Sequence, residues 1–113
     1  MAALTRQQLK LQSGGNAVNW QAASAGGDEF VNTEGSAYLF VKNASGSSRT
    51  LTISVEETRT GAALVTPDIT VTVADSTEKV IGPFPPATFN DSDGNVNISI
   101  DTETSVSYDV MYV

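Results

Sequence analysis

The chain has 113 residues and 40% hydrophobic content, enough to bury the core of one domain and too little for two. It contains neither cysteine nor histidine, which excludes a disulfide scaffold, Ser-His-Asp and Cys-His nucleophilic sites, and the ordinary zinc ligands. Its formal net charge is -7; bases and acids balance over residues 1–60, and beyond them Lys79 is the lone base among Asp68, Asp75, Glu78, Asp91, Asp93, Asp101, Glu103 and Asp109. Phosphate binding needs clustered Lys and Arg, so nucleic acid is not an expected partner, whereas an acidic face suits a basic protein surface.

Residues 1–15, "MAALTRQQLKLQSGG", read as an N-terminal arm: polar, carrying Arg6 and Lys10, and ending in the Gly14-Gly15 hinge. Leu4, Leu9 and Leu11 fit either a short helical turn or an extended segment. Residues 16–113 read as one β-sandwich domain. "AVNWQAA" (17–23) alternates with Val18 and Trp20 on one face, and "AYLFVKN" (37–43) is a bulky apolar run that predicts burial on both sides. "TLTISVEE" (50–57) places Leu51, Ile53 and Val55 on one face, and "DITVTVAD" (68–75) does so with Ile69, Val71 and Val73. Further strands are expected at 78–84, at 95–101 through Val96, Ile98 and Ile100, and at 105–113 through Val106, Tyr108, Val110 and Tyr112. Turn-rich segments separate them at 43–48, 59–64, 91–95 and 103–105. Short strands at this spacing predict an all-β, single-domain antiparallel β-sandwich or jelly roll.

"GPFPPATFND" (82–91) interrupts the pattern. Proline donates no backbone hydrogen bond, so the strand ends here and the segment crosses to the next one, with Phe84 and Phe89 expected to close one end of the core. The Pro85-Pro86 pair also has the character of a ligand for an aromatic groove, but one such run inside a folded domain favours the structural reading.

No constellation of carboxylates marks a hydrolase: Glu56 and Glu57 are neighbours on a strand and point to opposite faces. The chain is therefore not expected to be an enzyme or to carry a cofactor. Asp91, Asp93 and Asn95 supply oxygens at alternate positions and form the one weak calcium candidate. As an EF-hand loop it fails twice, with Gly94 at the fourth position and Thr102 where the bidentate Glu belongs. A turn braced by Asp and Asn side chains, with Gly94 at positive φ, is the expected alternative. No apolar run approaches the roughly 18 residues of a membrane span, and the N-terminus has no apolar signal region, so synthesis in a cytoplasm and no membrane partner are expected.

Two segments, "GGDEFVNTEGSAYLFVKNASGSSRTLTI" (26–53) and "VIGPFPPATFNDSDGNVNISI" (80–100), resemble a family of small β-sandwich virion proteins of tailed bacteriophages and prophages. The shared features are Gly-Asp-x-Phe-x-Asn, a strand ending in Val-Lys-Asn with a Gly/Ser turn, and Gly-Pro-Phe followed by Phe-Asn-Asp. The resemblance implies capsid decoration, or cement: binding the outer surface of the assembled head and stabilising contacts between major capsid protein subunits, with self-association as a trimer a further expectation. It places the chain on the virion surface after synthesis in the bacterial host cytoplasm. The expected contact set is Arg6, Lys10, Trp20, Phe84, Pro85, Pro86 and Phe89, chosen as arm cations and sparse large side chains, with the arm ordering on the shell. A tail or fibre adaptor, or a carbohydrate-binding adhesion module, is the alternative; such a module requires an exposed aromatic platform.

Overall fold

The computed structural model describes residues 2–10, 15–56 and 67–113, so Leu11, Gly14, Glu57 and the turn expected at 59–64 lie outside it. The described elements run β1 (Ala2–Ala3), β2 (Arg6–Gln8), β3 (Gln21–Ala22), β4 (Asp28–Val31), β5 (Ala37–Asn43), β6 (Arg49–Ile53), β7 (Ile69–Val73), β8 (Thr77–Ile81), α1 (Pro86–Phe89), β9 (Asn95–Ile100) and β10 (Val106–Tyr112). They form a sandwich of two sheets. Sheet A has the order β1-β4-β9-β6-β7; sheet B has the order β2-β10-β5-β8, with β3 also pairing β10.

The core lies where the alternating faces meet. Sheet A contributes Phe30, Leu51, Ile53, Val73, Val96 and Ile98; sheet B contributes Leu39, Val41, Val106, Tyr108 and Val110. Each strand needs only every second residue to be apolar, so a 113-residue chain of modest hydrophobicity still fills this interior. Burial pushes the Tyr108 phenol well above its ordinary value, with the Asp28 carboxylate adding to the effect. β7 departs from the expected pattern: Val73 is buried, but Val71 is only half-buried and Ile69 is exposed, because β7 is the edge of its sheet.

The N-terminal residues do not form a separate arm. β1 runs parallel to β4, pairing Ala2 with Asp28, and β2 runs parallel to β10, pairing Arg6 with Val110. Leu4 sits between them, buried in the core as the chain steps from one sheet to the other, and its N–H donates to Glu29 O at 2.8 Å. The reason is the sheet edge: unpaired N–H and C=O groups of β4 and β10 are satisfied by whatever extended backbone reaches them. Both sheets are consequently mixed rather than wholly antiparallel. The segment at 17–23 is likewise shorter as a strand than expected, since only Gln21 and Ala22 pair with β10.

The proline-rich crossing leaves β8 at Gly82. Its φ of 133° is open to glycine and strained for other residues, and a Cβ there would lie 2.9 Å from Ala37 O and 3.2 Å from Tyr38 Cα. Gly82→Ala is therefore expected to cost about 2–3 kcal/mol of stability, measured by urea unfolding. A loss below about 0.5 kcal/mol, the size of an ordinary surface change, would show that the backbone relaxes freely there.

Candidate interaction face

The outer face of sheet B carries three half-exposed aromatic side chains, Trp20, Tyr38 and Phe40. Along β5 the interior residues Ala37, Leu39, Val41 and Asn43 alternate with Tyr38, Phe40 and Lys42, which point outward and are only half-buried. The run expected to be buried on both sides thus has one interior and one outer face, because among the described residues the segment at 19–20 reaches over β10 and leaves the outer side of β5 only half-buried. Register builds a row across the strands: Val80 of β8 is opposite Phe40, and Phe40 is opposite Asp109 of β10. The β3–β10 pairing, continued by one residue, sets Trp20 level with Asp109. Lys42 Nζ lies 5.4 Å from the Trp20 ring centroid, which puts the ring on this same outer face. At strand spacing, the row from Val80 to Trp20 spans about 14 Å.

Two contacts fix the row. Asp109 is 1% exposed although it faces outward; its Oδ2 accepts the Asn19 N–H at 3.0 Å and its Oδ1 accepts the Val110 N–H at 2.9 Å. This bond draws residues 19–20 over β10 and is why they leave the strand ladder before β3. Tyr38, in the next row opposite Met111, packs on the bare backbone of Gly82, its Cδ1 3.3 Å from where a glycine Cβ would stand. Val80, 60% exposed, borders the row on the β8 side. Beside the row, where β5 ends and β8 begins, an open groove of about 570 Å³ is lined by Lys42, Asn43, Ala44, Ser76, Thr77 and Glu78.

The residues expected to form a contact set do not lie together. Trp20 belongs to the outer face. Phe84 and Phe89 are interior: Phe84 is 2% exposed, and its ring meets Phe30 and Phe89 edge-on, each at 5.5 Å between centroids. Their assignment as partner contacts is corrected by this packing, since a ring held inside the core has no surface to offer. Pro85 and Pro86 are exposed at the end of the sandwich, with Pro86 against Gly35. Lys10 is exposed, and its carbonyl accepts from Asn16 Nδ2 at 2.7 Å. Sequence reasoning missed Tyr38, Phe40 and Val80. Separating "AYLFVKN" by parity, with aliphatics on one side and rings plus lysine on the other, would have found the first two.

Arg6 is committed within the fold. Its guanidinium meets both Glu34 oxygens, at 2.6 and 3.1 Å, and stacks 4.0 Å over the Tyr112 ring, clasping β2 to the β4–β5 turn and to β10. The Arg6 hydrogen bonds hold the Glu34 carboxyl at about 2, down from 4.5. A carboxyl lowered in the folded state contributes stability above its unfolded value, and that contribution is lost as pH falls through the folded one. The hydrogen-exchange protection of the β2 amides is accordingly expected to weaken progressively as pH falls from about 4.5 toward 2. Titration of Glu34 at an ordinary midpoint, followed by NMR, would show that the clasp does not hold in solution.

The calcium candidate is a braced turn. Asp91 Oδ1 accepts the N–H groups of Asp93 at 2.9 Å and Asn95 at 3.0 Å, and Oδ2 accepts Asn97 Nδ2 at 2.9 Å. These bonds, led by that from Asn97, hold the Asp91 carboxyl below its usual range. Gly94 supplies the positive φ of 82°. Among the described residues no group of three or more acidic side chains is placed to hold a metal ion.

The chain is thus an all-β sandwich, one outer sheet face of which bears half-buried rings. No family model, curated protein or solved structure matches it.

Proposed function

We propose that this protein is a phage capsid decoration, or cement, protein that binds the outer surface of the assembled head and stabilises contacts between major capsid protein subunits. The observation that carries the reading is the half-exposed row Val80, Phe40 and Trp20, flanked by Tyr38, on one sheet face. Rings that keep part of their surface in water on a rigid sheet gain most by burial against a second protein. Binding across subunit seams would favour the assembled shell by mass action, and the excess acid of the second half suits a basic coat surface. The resemblance of residues 26–53 and 80–100 to phage virion proteins points the same way.

The test is co-sedimentation with expanded capsids stripped of this protein. Saturable binding at a fixed ratio to coat subunits and a raised shell melting temperature are expected. Trp20→Ala and Phe40→Ser should each weaken binding by about 2 kcal/mol, roughly thirtyfold in Kd, without altering the fold. Recovery of the protein among tail parts or free in the lysate would overturn the proposal.

The same face also favours a second reading, a carbohydrate-binding or tail-adhesion module, because Trp20, Tyr38 and Phe40 put half-exposed rings on one sheet face. Retention on host envelope polysaccharide, lost in Trp20→Ala, with no shell binding, would select it.

A further inference from the structure

We propose that the outer edge of β8 accepts an extended segment of a partner protein as an additional strand of sheet B, with an apolar residue beside Val80 and a lysine or arginine beside Glu78. The inference rests on the decoration reading only for the name of that partner, the coat protein.

Backbone phase identifies what the edge offers. Val106 faces Asn43 in the β10–β5 ladder, and the Ala44 N–H donates to Ser105 O at 2.9 Å, which marks Val106–Asn43 as a non-hydrogen-bonded pair. β5 therefore turns the backbone groups of Leu39, Val41 and Asn43 toward β8, where Ile81, Lys79 and Thr77 stand opposite. By alternation, Glu78 and Val80 aim their N–H and C=O groups away from β5, and among the described residues no strand pairs with that side of β8.

The other edges are treated differently. The chain lays its own N-terminal residues along β4 and β10, so β1, β2 and β3 occupy the opposite side of the sandwich. On the β7 edge, the Thr72 carbonyl accepts from Lys79 Nζ at 2.8 Å. Lysine is the usual guard of an open edge, but Lys79 is turned toward β7 and leaves β8 unguarded. The outward side chains that remain are Val80, 60% exposed, and the exposed Glu78, and the groove lined by Thr77 and Glu78 adjoins them.

Charge selects a foreign strand over a second copy. Two-fold self-pairing of β8 sets Glu78 against Glu78, or against Val80 or Gly82 of the other copy, and none of these neutralises the carboxylate. A basic residue at that position does, and main-chain bonding with alternate side-chain selection is the ordinary physics of strand addition.

A synthetic peptide with lysine and valine two residues apart, as in Thr-Lys-Thr-Val-Thr, puts both on the face of Glu78 and Val80 and tests the edge without a capsid. At millimolar peptide the amide exchange of Glu78 and Val80 should slow by at least about tenfold with the protein's own oligomeric state unchanged, and the same peptide with glutamate in place of lysine should bind about tenfold more weakly. Glu78→Lys should reverse that preference. Val80→Pro removes an outward N–H without touching the β5 ladder, so it should abolish binding in a protein that still unfolds cooperatively. Absence of protection at β8, protection at another site, or dimerisation through β8 would overturn the proposal. Peptide capture at β8 without shell binding would retain the edge and remove the decoration reading. Shell binding with Glu78 and Val80 still exchanging freely would do the reverse.

Discussion

Truncation of Phe84 to alanine is expected to lower the unfolding free energy by about 3–5 kcal/mol, read as a reduced urea midpoint at unchanged slope. The ring is 2% exposed and is shared by two edge-on contacts, Phe30 from sheet A and Phe89 from the crossing. Its removal would therefore leave a cavity between a strand and the segment that caps it. Collapse into that cavity is restricted, because Pro83 and Pro85 limit the backbone on either side and Asn32 Nδ2 binds Phe84 O at 2.8 Å. Phe89, 8% exposed and in contact through one of these ring pairs, is expected to cost less. Pro85→Ala, at an exposed site, should stay within about 0.5 kcal/mol. Since a domain of this kind holds about 5–15 kcal/mol in all, Phe84→Ala should remove a large share of the total. A loss under about 1 kcal/mol would mean that the ring is not part of the core.

Phe84 also illustrates what the sequence made legible. Period-2 alternation located β6, β9 and β10, because in a half-buried strand the pattern and the packing are the same fact. The prolines located the crossing, and the Asp-Gly turn located the bend before β9, because each is enforced by local backbone chemistry. Where local chemistry is silent, reading failed. β1 and β2 contain two and three residues, too few for any period, and they are strands only because β4 and β10 present edges to them. The outer face of sheet B was hidden by a similar ambiguity: "AYLFVKN" is apolar at its first five positions, so hydrophobicity alone does not separate its sides, whereas parity sets its aliphatics apart from its rings and lysine. The sequence allows Phe84 and Phe89 either a core or a partner role, and their burial admits the first alone.

Asn32 is the polar counterpart of Phe84, and its replacement should be nearly as costly. It is fully buried; its Nδ2 donates to Phe84 O and to Asn90 Oδ1, each at 2.8 Å, and its Oδ1 accepts the Ala37 N–H at 3.3 Å. Its backbone takes part as well, accepting Asn90 Nδ2 at 2.9 Å and donating to Gly94 O at 2.9 Å. One residue thus joins the β4–β5 turn, the crossing and the approach to β9. Asn32→Leu keeps the volume but strands these groups, and about 3 kcal/mol of destabilisation is expected at every pH, relative to the native chain. Asn32→Asp keeps the shape and exchanges the donor for an acceptor, so a carboxylate would face Phe84 O and Asn90 Oδ1. Burial and those acceptors would raise the folded-state pKa of the new carboxyl above its unfolded value of about 3.9. The variant should then be least impaired below that pH, where the group is protonated in both states, and should lose stability as pH rises through the folded pKa. At pH 7 the loss should reach about 3–5 kcal/mol, the usual cost of a buried charge without a partner. Unfolding of both variants against the native chain at pH 3 and pH 7 separates the roles: a pH-dependent difference confined to Asn32→Asp assigns the site to hydrogen bonding. Equal, pH-independent losses would assign it to packing, and the junction would then be held by Phe84 and its neighbouring rings.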